Sequence, residues 1–303
     1  MSGNLHRGPI QRYQLVCVGD LMLDILVTAP RLRDGMAGGI YVRPGGSAAN
    51  VAAWAAQAGL RSAWLGSAGE GPAAELLLED LRRHGVDPLP NLVPGCETSV
   101  VISRIGRNAN RVMQSARWVA NEGVLDEQIE AIAGTEAVHL TGYLLASKTG
   151  RQSAEQILSA AQATGSLISF DPSDISVIRD AGVPFIRRLL RRFRVGVIFA
   201  NAAEARELTG EADAKRAGAR LAGWAGVAVV KLGGRGSIVF EPEPRPIPAK
   251  RVKALDTTGA GDAYAGAWLA NYLSSRDAFS AAVAATEAAG KAIQLIGGRP
   301  SAP

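Results

Sequence analysis

Asp256-Thr257-Thr258-Gly259-Ala260-Gly261-Asp262 leads straight into Ala263-Tyr264-Ala265-Gly266-Ala267-Trp268-Leu269-Ala270, an apolar run of helical period. Gly259 and Gly261 leave the backbone open to a ligand. The N–H groups of Gly259, Ala260 and Gly261 would point outward at the start of a helix, where anions are stabilised. Such a turn suits a phosphoryl group in transfer. Asp262, one residue beyond, is placed to accept the proton of an attacking hydroxyl. Taken alone, the same pattern also fits a capped helix with an acidic residue in its first turn.

Outward from this segment, apolar runs of strand length alternate with helix-period stretches. Strands are expected at 15–18, 62–65, 137–140, 167–170, 195–200 and 227–231. Helices are expected at 47–58, 72–84, 126–133, 151–163, 202–208, 213–224, 258–273 and 277–295. This alternation predicts an α/β fold whose mostly parallel central sheet is covered by helices on both faces. With no internal repeat or low-complexity linker, one main domain over residues 1–303 is the simplest organisation. Two stretches, 24–42 and 98–119, break the rhythm with alternating β-type residues around glycine- and asparagine-rich turns. Together they could form a small sheet over one edge of the main domain, or each could be an ordinary antiparallel edge strand.

Composition narrows the function classes. The 303 residues are 47% hydrophobic, enough for a packed core, and carry a net charge of +5, a mild basic balance unlike a nucleic-acid-binding signature. Arg187, Arg188, Arg191, Arg192 and Arg194 follow a helical spacing that reads as a solvated helix face, the alternative being an anion-binding surface. Two cysteines, Cys17 and Cys96, have no metal-ligand spacing. No signal-like or membrane-length apolar stretch is present, so a cytoplasmic protein without membrane or nucleic-acid partners is expected.

Three further segments carry candidate chemistry. Gly45-Gly46-Ser47-Ala48-Ala49-Asn50 opens an alanine-rich helix; its glycines permit close contact with a polyhydroxylated ligand, and Asn50 offers donor and acceptor to ring hydroxyls. The alternative is Ser47 as an ordinary N-cap after loop glycines. Asn201-Ala202-Ala203-Glu204 follows an apolar strand. Asn201 can bind a nucleotide phosphate and Glu204 a water of a Mg2+ shell, while a capping box explains the same spacing. Lys231-Leu232-Gly233-Gly234-Arg235-Gly236-Ser237 is a strand end followed by a glycine turn, suited to nucleotide phosphates or to a tight hairpin.

In this order and spacing the four segments resemble the ribokinase-like (PfkB) carbohydrate kinase family, over a span from Val18-Gly19-Asp20-Leu21-Met22-Leu23-Asp24 to Gly297-Gly298-Arg299-Pro300. The resemblance implies a ribokinase-like three-layer αβα sandwich with a small β-sheet lid built from the two excursions, the lid often forming a homodimer contact. It implies an ATP-dependent kinase that phosphorylates a hydroxyl, primary in the simplest case, of a small sugar, sugar acid or nucleoside, with ATP and Mg2+ and in many members K+. By position, Asp24, Gly45, Gly46 and Asn50 match substrate-binding residues. Gly259, Ala260 and Gly261 match the anion hole and Asp262 the catalytic base. Asn201, Lys231, Gly233 and Gly236 match nucleotide-binding positions, Glu204 the Mg2+-linked glutamate, and Asp256 and Thr258 the monovalent-cation site.

Departures leave the acceptor open. Ser47 stands where ribokinases and sugar-phosphate kinases of the family commonly have Lys, and Ala120 where Gly is usual. Phe170-Asp171-Pro172-Ser173 resembles the Asp-Pro-Asn turn of fructokinases and sugar-acid kinases, without the downstream Arg at the usual offset. Arg104, Arg107, Arg111 and Arg117 could meet an anionic substrate or remain exposed. Two rival functions exist. Gly69-Glu70-Gly71-Pro72-Ala73-Ala74 mimics a dinucleotide fingerprint but lacks its context. A catalytically silent sugar or nucleoside sensor on the same fold is the second rival, although a pure binder has no need of a base beside an anion hole.

Overall fold

A computed structural model describes residues 13–28, 39–105, 111–116 and 123–301. In chain order the elements are β1 (Leu15–Val18), β2 (Met22–Thr28), β3 (Gly39–Gly45), α1 (Ser47–Gln57), β4 (Ser62–Gly69), α2 (Pro72–Arg83), β5 (Val86–Val93), β6 (Val100–Ile105), β7 (Arg111–Ala116), α3 (Asp126–Ile132) and β8 (Ala137–Thr141). They continue with α4 (Lys148–Ala163), β9 (Leu167–Asp171), α5 (Ile175–Ala181), α6 (Val183–Arg192), β10 (Val197–Asn201), α7 (Ala202–Thr209), α8 (Ala214–Ala222), β11 (Val227–Lys231), β12 (Ser237–Phe240), β13 (Pro244–Ile247), α9 (Ala260–Ser275) and α10 (Ala278–Ala292).

Nine strands form one sheet in the order β13-β12-β11-β10-β9-β8-β1-β4-β5. It is parallel from β5 to β11 and antiparallel through β12 and β13. Because successive side chains point to opposite faces, each short apolar strand feeds two cores. Val16 and Val18 pack with α3 to α8 on one face. Leu15 and Cys17 pack with α1, α2, α9 and α10 on the other. This is the three-layer arrangement the alternation predicts.

The two excursions pair into a second sheet of order β3-β2-β6-β7. Its centre is a parallel contact, Asp24 opposite Val101, flanked by antiparallel hairpins. Residues 29–38, 106–110 and 117–122, with Arg107, Arg117 and Ala120, lie outside the described residues.

Several elements differ from the sequence expectation. β5 was not anticipated, since Pro88 and Pro90 argue against a strand; it lies at the sheet edge, where a missing N–H costs no ladder bond. β10 begins at Val197 rather than Val195. α9 begins at Ala260 because Gly259 adopts the left-handed conformation at its N-cap. The arginine-rich segment forms α6 and the turn after it, with the five arginines exposed and Ile186, Leu189, Leu190 and Phe193 buried, as a solvated face requires. Among the described residues no helix is long and apolar enough to cross a membrane.

Candidate active site

The C-terminal ends of the parallel strands carry the polar residues. Asp20 follows β1, Asp171 closes β9, Asn201 closes β10 and Lys231 closes β11. They open into a cleft of about 1360 Å³ bounded by the second sheet on one side and by α9 and α10 on the other. This is the usual place for a ligand in an open α/β sheet.

At its floor, Gly259 has φ 71°, and a side chain there would collide with Gly298. Only glycine fits on both counts. The amide of Ala260 makes a long bond to Thr257 O at 3.4 Å, whereas those of Gly259 and Gly261 meet no protein acceptor among the described residues. Two donors at the head of a 16-residue helix therefore face the cleft.

Asp262 sits in the first turn of α9, held from both sides. Ser47 Oγ donates to its Oδ1 at 2.7 Å and Asn50 Nδ2 donates to its Oδ2 at 2.8 Å. Burial pushes its pKa up to about 6; the bonds from Asn50 and Ser47 pull down, Asp171 pushes up and Lys231 pulls down.

Ser47 is free to do this because it is not the N-cap of α1. The cap position is Gly46, with φ 99°. Asp20 accepts the helix amides instead, from Ser47 N–H at 3.1 Å and Ala48 N–H at 3.4 Å. Gly46 allows this geometry, since any side chain there would strike the Asp20 backbone. The glycine loop thus admits protein groups as well as lining the cleft: Asp24 packs its carboxylate against Gly45, whose carbonyl accepts from Arg299 Nη2 at 3.2 Å.

Behind the turn at 259–262, Lys231 Nζ donates to Asp171 Oδ2 at 2.6 Å. Burial pulls the lysine pKa down, but the charges of Asp171, Glu204 and Asp262 outweigh it and raise it to about 12. Glu204 forms the capping box with Asn201: its Oε2 accepts from Asn201 N–H at 2.8 Å and its Oε1 from Asn201 Nδ2 at 2.6 Å. Burial and Asp171 push Glu204 up to about 7 against the pull of Lys231. Among the described residues no group of three or more His, Cys, Asp or Glu is placed to hold a metal ion directly.

Gly233 and Gly236 line the cleft from the turn between β11 and β12, which is also a tight hairpin closed by Leu232 N–H to Gly236 O at 2.7 Å. Asp256 is buried below: its Oδ1 accepts from Thr258 N–H at 3.0 Å and Oγ1 at 2.6 Å, and its Oδ2 from Gly297 N–H at 3.1 Å. Of the site residues expected from sequence, Asp24, Gly46, Asn50, Asn201, Glu204, Lys231, Gly233, Gly236, Thr258, Gly259, Ala260, Gly261 and Asp262 line the one cleft. Gly45 and Asp256 lie behind it.

Sequence reasoning missed Asp20, the engagement of Ser47 with Asp262, and the pairing of Asp171. Asp20 and Asp171 each end a strand of the central sheet, the position where function concentrates, and that signal was available. The helix expected from 277 also borders the cleft. Asp277 caps its own helix through Phe279 and Ser280, and the later turns of α10, from Val283 to Lys291, face the cleft.

The family model described as "pfkB family carbohydrate kinase" matches residues 13–303. Fructokinase-1 of Oryza sativa subsp. japonica is 25% identical over 268 residues, covering 84% of this chain and 81% of its own. The crystal structure of adenosine kinase from Sinorhizobium meliloti superposes with a TM-score of 0.87 at 25% identity, covering 96% of both chains. Arabidopsis thaliana ribokinase, solved with ribose and ATP, shares the fold at 21% identity and a TM-score of 0.77, over 95% of this chain and 94% of its own.

Proposed function

Because the chain belongs to the pfkB family of carbohydrate kinases, we propose that it transfers the γ-phosphoryl group of ATP to a hydroxyl of a small sugar or nucleoside, with Asp262 as general base. The observation that carries this reading is the pairing of a carboxylate held on both oxygens by Ser47 and Asn50 with the acceptor-free amides of Gly259 and Gly261 in the same turn.

The acceptor lies against Asp24, Gly46 and the start of α1, its hydroxyl directed at Asp262. Asp262 takes the hydroxyl proton as the oxygen attacks, and the amides of residues 259 to 261 receive the charge on the phosphoryl oxygens. Asn50, expected to bind the sugar, acts first as a holder of the base, fixing the carboxylate's orientation. The nucleotide extends from Lys231 along Gly233 and Gly236 toward the later turns of α10. Mg2+, when bound, neutralises phosphate charge, and Glu204 would hold it through water. The second sheet, through Met22, Asp24, Val101 and Ser103, acts as a lid whose closure excludes water that would otherwise compete for the phosphoryl group. A homodimer through the lid is the assembly this reading implies, and light scattering on a sizing column checks it.

An ADP-release screen over hexoses, ribose, sugar acids, sugar phosphates and nucleosides, with and without K+, tests the proposal. Acceptor-dependent ADP release with a phosphorylated product supports it. Retained ATP and acceptor binding with no product across the panel would instead make the protein a sensor.

A further inference from the structure

We propose that the ammonium of Lys231 belongs to the phosphoryl-transfer centre itself, meeting the migrating phosphoryl group beside the amides of Gly259 and Gly261, with Asp171 holding it there; this rests on the reading of the cleft as a transfer site. The residue ends β11 opposite Asn201 of β10. A lysine at a strand end ordinarily runs its head out to water. Here the head turns inward across the sheet and binds Asp171 of β9 at 2.6 Å, leaving the side chain 15% exposed.

Its destination is the anion-facing turn. A β-carbon placed on Gly261 would stand 3.1 Å from Lys231 Nζ. A side chain on Gly261 would therefore crowd the ammonium. The hydrogen bond to Asp171 uses one of three ammonium donors, and the residue lines the cleft. Sequence position alone assigns Lys231 to the nucleotide turn that follows it. Its Nζ lies instead beside the residues that face the transferring group. Asp171, Glu204 and Asp262 all favour its charged form.

In the step itself, the acceptor oxygen forms a bond to the γ-phosphorus, the bond from that phosphorus to the ADP oxygen breaks, and the acceptor proton goes to Asp262. Lys231 neither gains nor loses a proton. It supplies a point charge to an oxygen whose charge is greatest in the transition state, which is where such a charge increases rate.

The test measures dissociation constants of ADP and of ADP with aluminium fluoride, both with Mg2+, by calorimetry; the second mimics the transferring phosphoryl group. Wild-type protein should prefer the fluoride complex. Lys231→Gln should lose about tenfold or more of that preference with ADP affinity within about twofold, and Lys231→Arg should restore part of it. An unchanged preference, or equal weakening of both ligands, overturns the proposal. Since removing one partner of a buried pair can unfold the protein, the double variant Lys231→Met with Asp171→Asn is measured beside a thermal melt. Lost preference in a double variant that melts like the wild type supports the proposal; retained preference overturns it. Wild-type protein that binds ADP and its fluoride complex alike would overturn the transfer-site reading and this inference with it, whereas failure confined to the variants removes Lys231 alone.

Discussion

Asp262 is a carboxyl whose burial and hydrogen bonds oppose one another, and the balance sets when it can act as a base. With a folded pKa of about 6, kcat/KM for the acceptor should be flat above that value and fall about tenfold per pH unit below it. Ser47→Ala removes one of the two bonds that favour the ionised form, so the acid limb should move to higher pH; an unmoved limb would show that Ser47 does not tune the base. The same shift has a stability sign. A carboxyl raised above its unfolded value favours the fold below the unfolded pKa, and that benefit is lost as pH rises through about 6. Asp262→Asn should therefore stabilise the fold at pH 8 by about 2–3 kcal/mol, read as a higher melting temperature, and give no gain at pH 4. The partner can adapt, because Asn50 Oδ1 is buried without a bond and turning the Asn50 amide would offer it to the new side chain. Asp262 and its glycines were legible because their pattern is local. The strand-end position of Asp20 was legible, but its partnership with α1 and the freedom of Ser47 were not, because the cap of α1 comes from 27 residues upstream, and a local reading assigns Ser47 the capping role that Asp20 takes.

The crossing of α1 and α9 sets the distance between Asp262 and its two donors, Ser47 and Asn50. One turn below Asp262, Gly266 faces α1 so closely that a β-carbon there would stand 2.6 Å from Val51 O and 2.9 Å from Trp54 Cβ. Gly266→Ala should push the helices apart, costing about 1–3 kcal/mol in a urea melt and lowering turnover while ATP affinity holds. Wild-type stability and turnover would show that the crossing tolerates a methyl group and does not set the Asn50–Asp262 contact. Most elements were readable from apolar period and glycine punctuation. β5 was hidden by its prolines, which only an edge position makes harmless, and an edge position is a property of the sheet rather than of the segment.

At the scale of the molecule, the alternation of strands and helices announces a parallel sheet with two covered faces, and the two interruptions announce the second sheet. Strand order is not written in any local pattern: β1 lies between β8 and β4, and Asp20 beyond it meets Thr141 at the end of β8 as well as the start of α1. Ser47 and Asp262 meet across 215 residues of chain, so the site exists only in the assembled fold. The central claim is that this convergence makes Asp262 the proton acceptor for phosphoryl transfer. Its most direct test is steady-state turnover of Asp262→Asn at pH 8, with binding of ATP and of the acceptor measured on the same protein. Turnover should fall by about a hundredfold or more while both affinities stay within about twofold; turnover near that of the wild type would contradict the claim.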